Sequence, residues 1–305
     1  EHERSINLGV ASALGAFLIW GFSSLYYRAI GEAPALEIIA HRAIWSLLFT
    51  LILIAVTGQI RIFLGLFSNK KILLTLLVSS ILVSVNWLGF IWAVNNEKAL
   101  EASMGYFIMP IVMVVLGRLF LDERLSRNQV ISLILVCIGV LNLLVAIQQL
   151  PWIALLLALS FGFYSLVRKK VNVSALVGLT LECLFLAPVA LGYLWLLQLE
   201  GTLVFGTLNI GFDLLLLGSG LMTALPLILF TSASKRLRLG TVGLLQYLNP
   251  TVQFLLAVFL FNEPFSIPHM ITFSLIWLGL IIFSLDSRNQ MKRDNSNRKL
   301  AQTTP

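Results

Sequence analysis

Long apolar runs, each closed by charge, proline or glycine, recur along the whole chain. Taken in order, they predict ten helices, near residues 8 to 28, 36 to 57, 72 to 94, 101 to 121, 128 to 147, 151 to 168, 175 to 197, 210 to 232, 241 to 261 and 267 to 286. Each has about the 20 residues that a helix needs to cross the hydrocarbon core of a bilayer. The segment Ile60 to Phe67 is too short to cross; aromatic-rich and followed by Lys70 and Lys71, it suits a piece lying in the membrane interface. The first run, Leu8 to Tyr27, is long, lacks a small-residue cleavage site and precedes many similar runs, so it is expected to be a retained span and not a signal peptide. After Asp286 a polar tail is expected to be disordered.

Composition sharpens this picture. The 305 residues are 58% hydrophobic and 11% charged, against roughly 25% charged in a soluble domain. Most of the chain cannot face water, which excludes a soluble enzyme or a nucleic-acid-binding domain. The net charge of +7 therefore bears on membrane orientation, because basic loops are retained on the cytoplasmic side. With the ten spans, one face collects Arg4, Arg61, Lys70, Lys71, Arg118, Arg124, Arg127, Arg168, Lys169, Lys170, Lys235, Arg236, Arg238 and the five basic residues of the tail, eighteen of the 21. Only Arg28 and Lys98 fall on the other face, and Arg42 falls inside the second span. Both termini are expected in the cytoplasm.

The chain also matches itself. A shift of 140 lays Pro110 on Pro250, Glu123 on Glu263, Ser126 on Ser266 and Gly139 on Gly279; a shift of 141 lays Gly21 to Leu25 on Gly162 to Leu166. Coincident Pro, Glu and Gly carry weight where coincident Leu would not. Each half then holds five helices, and an odd number turns the second copy upside down in the membrane. Halves related in this way can rock about a central site.

Several residues are candidates for that site. Pro110 and Pro250 fall near the centres of the fourth and ninth helices, where each removes a donor and clashes with the carbonyl four residues back, at Tyr106 and Gln246. Backbone freed at bilayer depth survives only against protein or a wet cavity, so these breaks, with Tyr247 and Asn249 beside them, mark a candidate substrate site. Asn86 and Trp87 in the third helix, Trp20 in the first and Tyr164 in the sixth join the set; Asn86 either bridges helices or faces the pathway. Arg42, inside the second span, needs a partner. Glu101 is expected to supply it, with Glu37 only five residues away, and the mirrored pair is Glu182 with Arg238; the two pairs would act as gates or as static bridges. Glu123 and Glu263 are expected to cap helix ends.

Nothing points to a cofactor. There is no GxxxxGK[ST] loop, His2, His41 and His269 are too scattered to hold a metal, and Cys137 and Cys183 are expected to be small buried hydrophobes. Neither HExxH nor GxSxG is present, so an intramembrane enzyme is disfavoured. Proton coupling would call on Glu182 or His41. Direct nucleotide drive would need a separate subunit.

The strings HRAIWS (41 to 46), NWLGFIWAVNN (86 to 96), LEASMGYF (100 to 107), FYSLVRKK (163 to 170) and LRLGTVGLLQYLNPT (237 to 251) resemble RarD-type permeases of the EamA family in the drug/metabolite transporter superfamily. The resemblance implies an all-α membrane protein with two EamA-like inverted repeats, at 1–147 and 148–287, before the 288–305 tail. It also implies a bacterial inner-membrane location, a central cavity, and a role in chloramphenicol sensitivity or small-metabolite export. Met109 stands where the group usually has Asn; Asn249 holds the matching second-half place. The expected function is alternating-access transport of a small organic solute, such as a metabolite, amino-acid-like compound or amphenicol. A channel is the alternative.

Overall fold

The computed structural model of the protein describes residues 2–95, 99–148, 152–260 and 266–303, and every regular element in these segments is a helix. The helices are α1 (His2–Ala29), α2 (Ala35–Val56), α3 (Ile60–Gly65), α4 (Lys70–Asn95), α5 (Ala99–Phe120), α6 (Arg127–Ile147), α7 (Trp152–Lys170), α8 (Ala175–Glu200), α9 (Ile210–Arg236), α10 (Leu239–Leu245), α11 (Leu248–Phe259) and α12 (Ile267–Thr303). Seven of them, α1, α2, α4, α6, α7, α8 and α9, are long and apolar enough to cross a membrane, and α5 and α12 contain shorter apolar stretches, Gly105–Phe120 and Ile267–Phe283. Large apolar side chains such as Leu74, Ile81, Val189, Trp195, Ile210 and Leu214 stand exposed on the outside of the bundle, as a lipid-facing surface requires. The short α3 follows α2 after a tight turn at Gly58, whose φ of 68° suits glycine.

Local chemistry sets the helix ends. Ser126 and Gln129 form a reciprocal capping box at the start of α6, and Asn209 accepts from the amide of Phe212 at the start of α9. The two prolines behave differently. Around Pro250 the predicted ninth helix divides into α10 and α11 with a turn at Gln246–Tyr247, and the Gln246 carbonyl accepts the Asn249 amide at 3.0 Å. Pro110, by contrast, sits inside a continuous α5. The expectation of two matching breaks holds only for the second half. The tail also differs: α12 runs on to Thr303, and no Pro or Gly interrupts residues 280–304 to stop it.

Helices of the two halves interleave. α2 packs on α8 and α9, α4 on α7 and α8, α1 on α9 and α11, α5 on α7 and α10, and α6 on α12. Glycines permit close crossings: a Cβ at Gly21 would lie 2.7 Å from Val252, and one at Gly162 would lie 2.7 Å from Val112. Between α6 and α12, Gly139 meets the Thr272 carbonyl and Gly279 meets that of Ser132.

Candidate functional site

Between the halves lies a cavity of about 510 Å³, counting the space at its mouth. Helix α1 contributes Trp20, Ser23 and Tyr27; α2 contributes Arg42; α4 contributes Asn86, Trp87 and Phe90; α5 contributes Tyr106 and Met109; α7 contributes Phe161. The α10–α11 turn and the following helix add Gln246, Asn249 and Gln253. The break at Pro250 has a direct consequence here, because Gln246 sits at the turn itself. Its Nε2 meets the Met109 sulfur at 2.6 Å, while its Oε1, like Oδ1 of Asn249, is buried with no hydrogen-bond partner.

The walls are aromatic and fixed. Trp20 meets Phe161 edge-on at 5.6 Å and Phe230 at 5.7 Å, and Phe90 meets Tyr106 at 5.6 Å. Asn86 donates to the Leu157 carbonyl at 2.9 Å and to Ser160 Oγ at 3.2 Å. It thus bridges α4 to α7 and lines the cavity as well. Arg42 donates from Nε to Thr223 Oγ1 at 2.8 Å, and its Cζ lies 5.0 Å from the ring centre of Tyr27 and 4.7 Å from that of Trp87.

Of the residues singled out from the sequence, Trp20, Arg42, Asn86, Trp87, Tyr106, Gln246 and Asn249 come together at this cavity. Four others do not line it. Tyr247 donates its hydroxyl to the Phe107 carbonyl at 2.7 Å, Tyr164 is fully buried with its hydroxyl 3.4 Å from Glu182, and Pro110 and Pro250 act through the backbone. The lining also includes Ser23, Phe90, Phe161 and Gln253, which sequence reasoning did not select. Gln253 carried a usable signal, being one helical turn after Asn249.

The model of the EamA-like transporter family matches residues 7–145 and again residues 151–285. The chain belongs to the EamA-like transporter family. It is 46% identical to the protein RarD of Salmonella typhi over 279 residues, covering 92% of this chain and 95% of that protein. It is 44% identical to the protein RarD of Escherichia coli strain K12 over 285 residues, covering 93% and 96%. A solved crystal structure aligns with a TM-score of 0.68 at 17% identity, covering 92% of this chain and 98% of that one, a likeness of fold alone. An EamA-family membership points away from catalysis.

Of the two pairings expected for the charged residues, that of Glu182 with Arg238 needs correction. Glu182 lies 3.5 Å from Nε of Arg168 and accepts from Ser79, while Arg238 donates to the Arg124 carbonyl. Arg168 and Glu182 are both buried, whereas Arg238 sits at the open N-terminus of α10, so the fold selects the partner that can neutralise Glu182 out of water. Glu37 accepts from the amides of Val204 and Phe205 and so serves a loop. The side chain of Glu101, and Glu263, lie outside the described residues. His41 is buried and its Nδ1 accepts from Trp45 at 2.9 Å.

Glu123 does more than cap its own helix end. Its carboxylate accepts the amides of Leu239 at 2.6 Å and Gly240 at 3.0 Å, which joins the end of α5 to the start of α10 across the two halves. Lys169 donates to the carbonyls of Ser234 and Leu237, and Lys235 to those of Val171 and Val173. All these contacts gather at the end of the bundle that carries the basic residues, below the packed cluster of Phe17, Met113, Phe230 and Leu239.

Proposed function

We propose that this EamA-family protein is a secondary transporter that moves a small organic solute by alternating access. Its ten spans form two inverted five-helix halves, residues 1–147 and 148–287, with α10 and α11 together making the ninth. The two termini lie in the cytoplasm, and the membrane is the bacterial inner membrane. The solute sits in the cavity against Trp20, Asn86, Trp87, Tyr106, Gln246 and Asn249.

One observation carries this reading: the cavity lies between halves whose contacts repeat under the same shift that repeats the sequence. The approach of Gly21 to Val252 has its counterpart in Gly162 and Val112, and Gly139 on Thr272 has its counterpart in Gly279 on Ser132. Each pair swaps a first-half residue for its second-half equivalent, as a twofold axis between the halves requires. The helix pairs α2–α8, α6–α12 and α5–α10 are those that such an axis would map onto themselves.

The shape favours a carrier over a pore. Tyr27, Arg42, Phe90 and Tyr106 come from the parts of α1, α2, α4 and α5 nearer the connections poor in basic residues, while Phe17 and Phe230 are packed in the core and Glu123 bonds the amides that begin α10. A continuous channel would need both ends open. Proteoliposomes test the proposal: a carrier gives saturable uptake that is accelerated when the same solute is preloaded inside. Flux that rises linearly with concentration and ignores preloading would identify a pore, and a product of altered mass would identify an enzyme.

A further inference from the structure

Resting on the reading of this cavity as the solute site, we infer that its solute is an amphipathic organic anion, whose carboxylate binds Arg42 and whose N–H or O–H donor binds the amide oxygens of Gln246 and Asn249. Arg42 is 5% exposed and is the only charged side chain lining the cavity among the described residues. Its Nε is held by Thr223, and the Tyr27 and Trp87 rings flank the guanidinium. Neither Nη has a hydrogen-bond partner among the described residues. Glu37, the nearest carboxylate along α2, is committed to the Val204 and Phe205 amides. A buried cation in a medium of low dielectric strongly favours an incoming anion, and the planar fork of a guanidinium matches both oxygens of a carboxylate.

The opposite polarity is supplied deeper in the cavity. Gln246 is 1% exposed and Asn249 is 2% exposed, and each leaves one carbonyl oxygen buried and unpaired. A buried acceptor without a donor is costly, so a ligand that brings an N–H or O–H relieves it. Between these polar groups the surface is aromatic, at Trp20, Trp87 and Tyr106, which suits a flat apolar body. The described lining carries no acidic side chain.

Two probes that share a body and an amide donor but differ in charge test this: N-acetylphenylalanine, an anion at pH 7, and its neutral carboxamide. Their binding to the purified full-length protein in detergent is measured by calorimetry. The acid is expected to bind at least about tenfold tighter than the amide, a preference within the range that a charge-assisted pair supports. In Arg42→Gln that preference should fall to about twofold or less, and Thr223→Val, which frees Nε, should reduce it partly. Equal binding of the two probes to the wild-type protein, an undiminished preference in a folded Arg42→Gln variant, or binding of neither probe at millimolar concentration would each overturn the inference. The wild-type comparison alone decides the matter if the variant does not fold. Failure of the transport reading is distinguishable: Arg42-dependent binding of the acid without preloading-stimulated uptake would keep the anion site and remove the carrier, whereas stimulated uptake of the neutral amide without charge preference would do the reverse.

Discussion

Gln246 and Glu182 illustrate how single side chains divide between the cavity and the scaffold. Gln246 lines the cavity and keeps a buried, unpaired oxygen, so Gln246→Leu is expected to lower uptake severalfold while shifting the melting temperature little, because it removes a proposed ligand contact and relieves a buried unpaired acceptor. Glu182 behaves oppositely. It neutralises Arg168, which is 0% exposed and has Nε and Nη1 without hydrogen-bond partners. Replacing Glu182 by Leu leaves a lone buried charge, expected to cost about 3–5 kcal/mol. Adding Arg168→Met should recover most of that loss in thermal unfolding, and failure to recover would show that the pair is not the unit. The sequence singled out both residues and mispaired one of them. Arg168 looks like one member of a basic triplet, and nothing in the linear pattern says that it is the one of the three that becomes fully buried. The aromatic and amide residues of the cavity were easier to find, because polar groups within apolar runs stand out.

At the scale of elements, the matched prolines Pro110 and Pro250 have unequal effects. Proline is disfavoured by about 3 kcal/mol relative to alanine inside a helix, and α5 tolerates it in an unbroken helix whereas the α10–α11 segment turns at Gln246–Tyr247. Pro250→Ala is therefore expected to reduce uptake at equal expression while preserving or raising the melting temperature, by straightening the turn that aims Gln246. Pro110→Ala should affect uptake less; the reverse ranking would place the functional break in α5. The repeat made both prolines visible, yet sequence equivalence cannot say which copy bends, since that depends on what packs around it. Glu123 was legible only as a helix-end residue. Its two bonds to Leu239 and Gly240 cross between halves, and a pairing of residues 116 and 117 positions apart leaves no mark in a local pattern. Glu123→Gln keeps the shape and removes the charge assistance, which should favour opening of the basic end; a loss of about 1.4 kcal/mol corresponds to a tenfold change in population.

For the whole molecule, the internal repeat falls on the two segments, 7–145 and 151–285, that the family model matches, and the helical, multi-pass character was readable without coordinates, because the bilayer imposes length rules directly on sequence. The cavity's location between α1, α2, α4, α5, α7 and the α10–α11 turn was not, since it depends on how the halves cross. The most direct test is the accessibility of one cavity position from each face. Ser23 lines the cavity, so a Ser23→Cys protein in which Cys137 and Cys183 are replaced can be labelled with a membrane-impermeant thiol reagent in right-side-out and inside-out vesicles. The expected result is labelling from the outer face in the otherwise native background, and a gain of labelling from the inner face when Glu123→Gln is added. Equal labelling from both faces in the native background, or no inner labelling with Glu123→Gln, would contradict a single cavity opening to each side in turn.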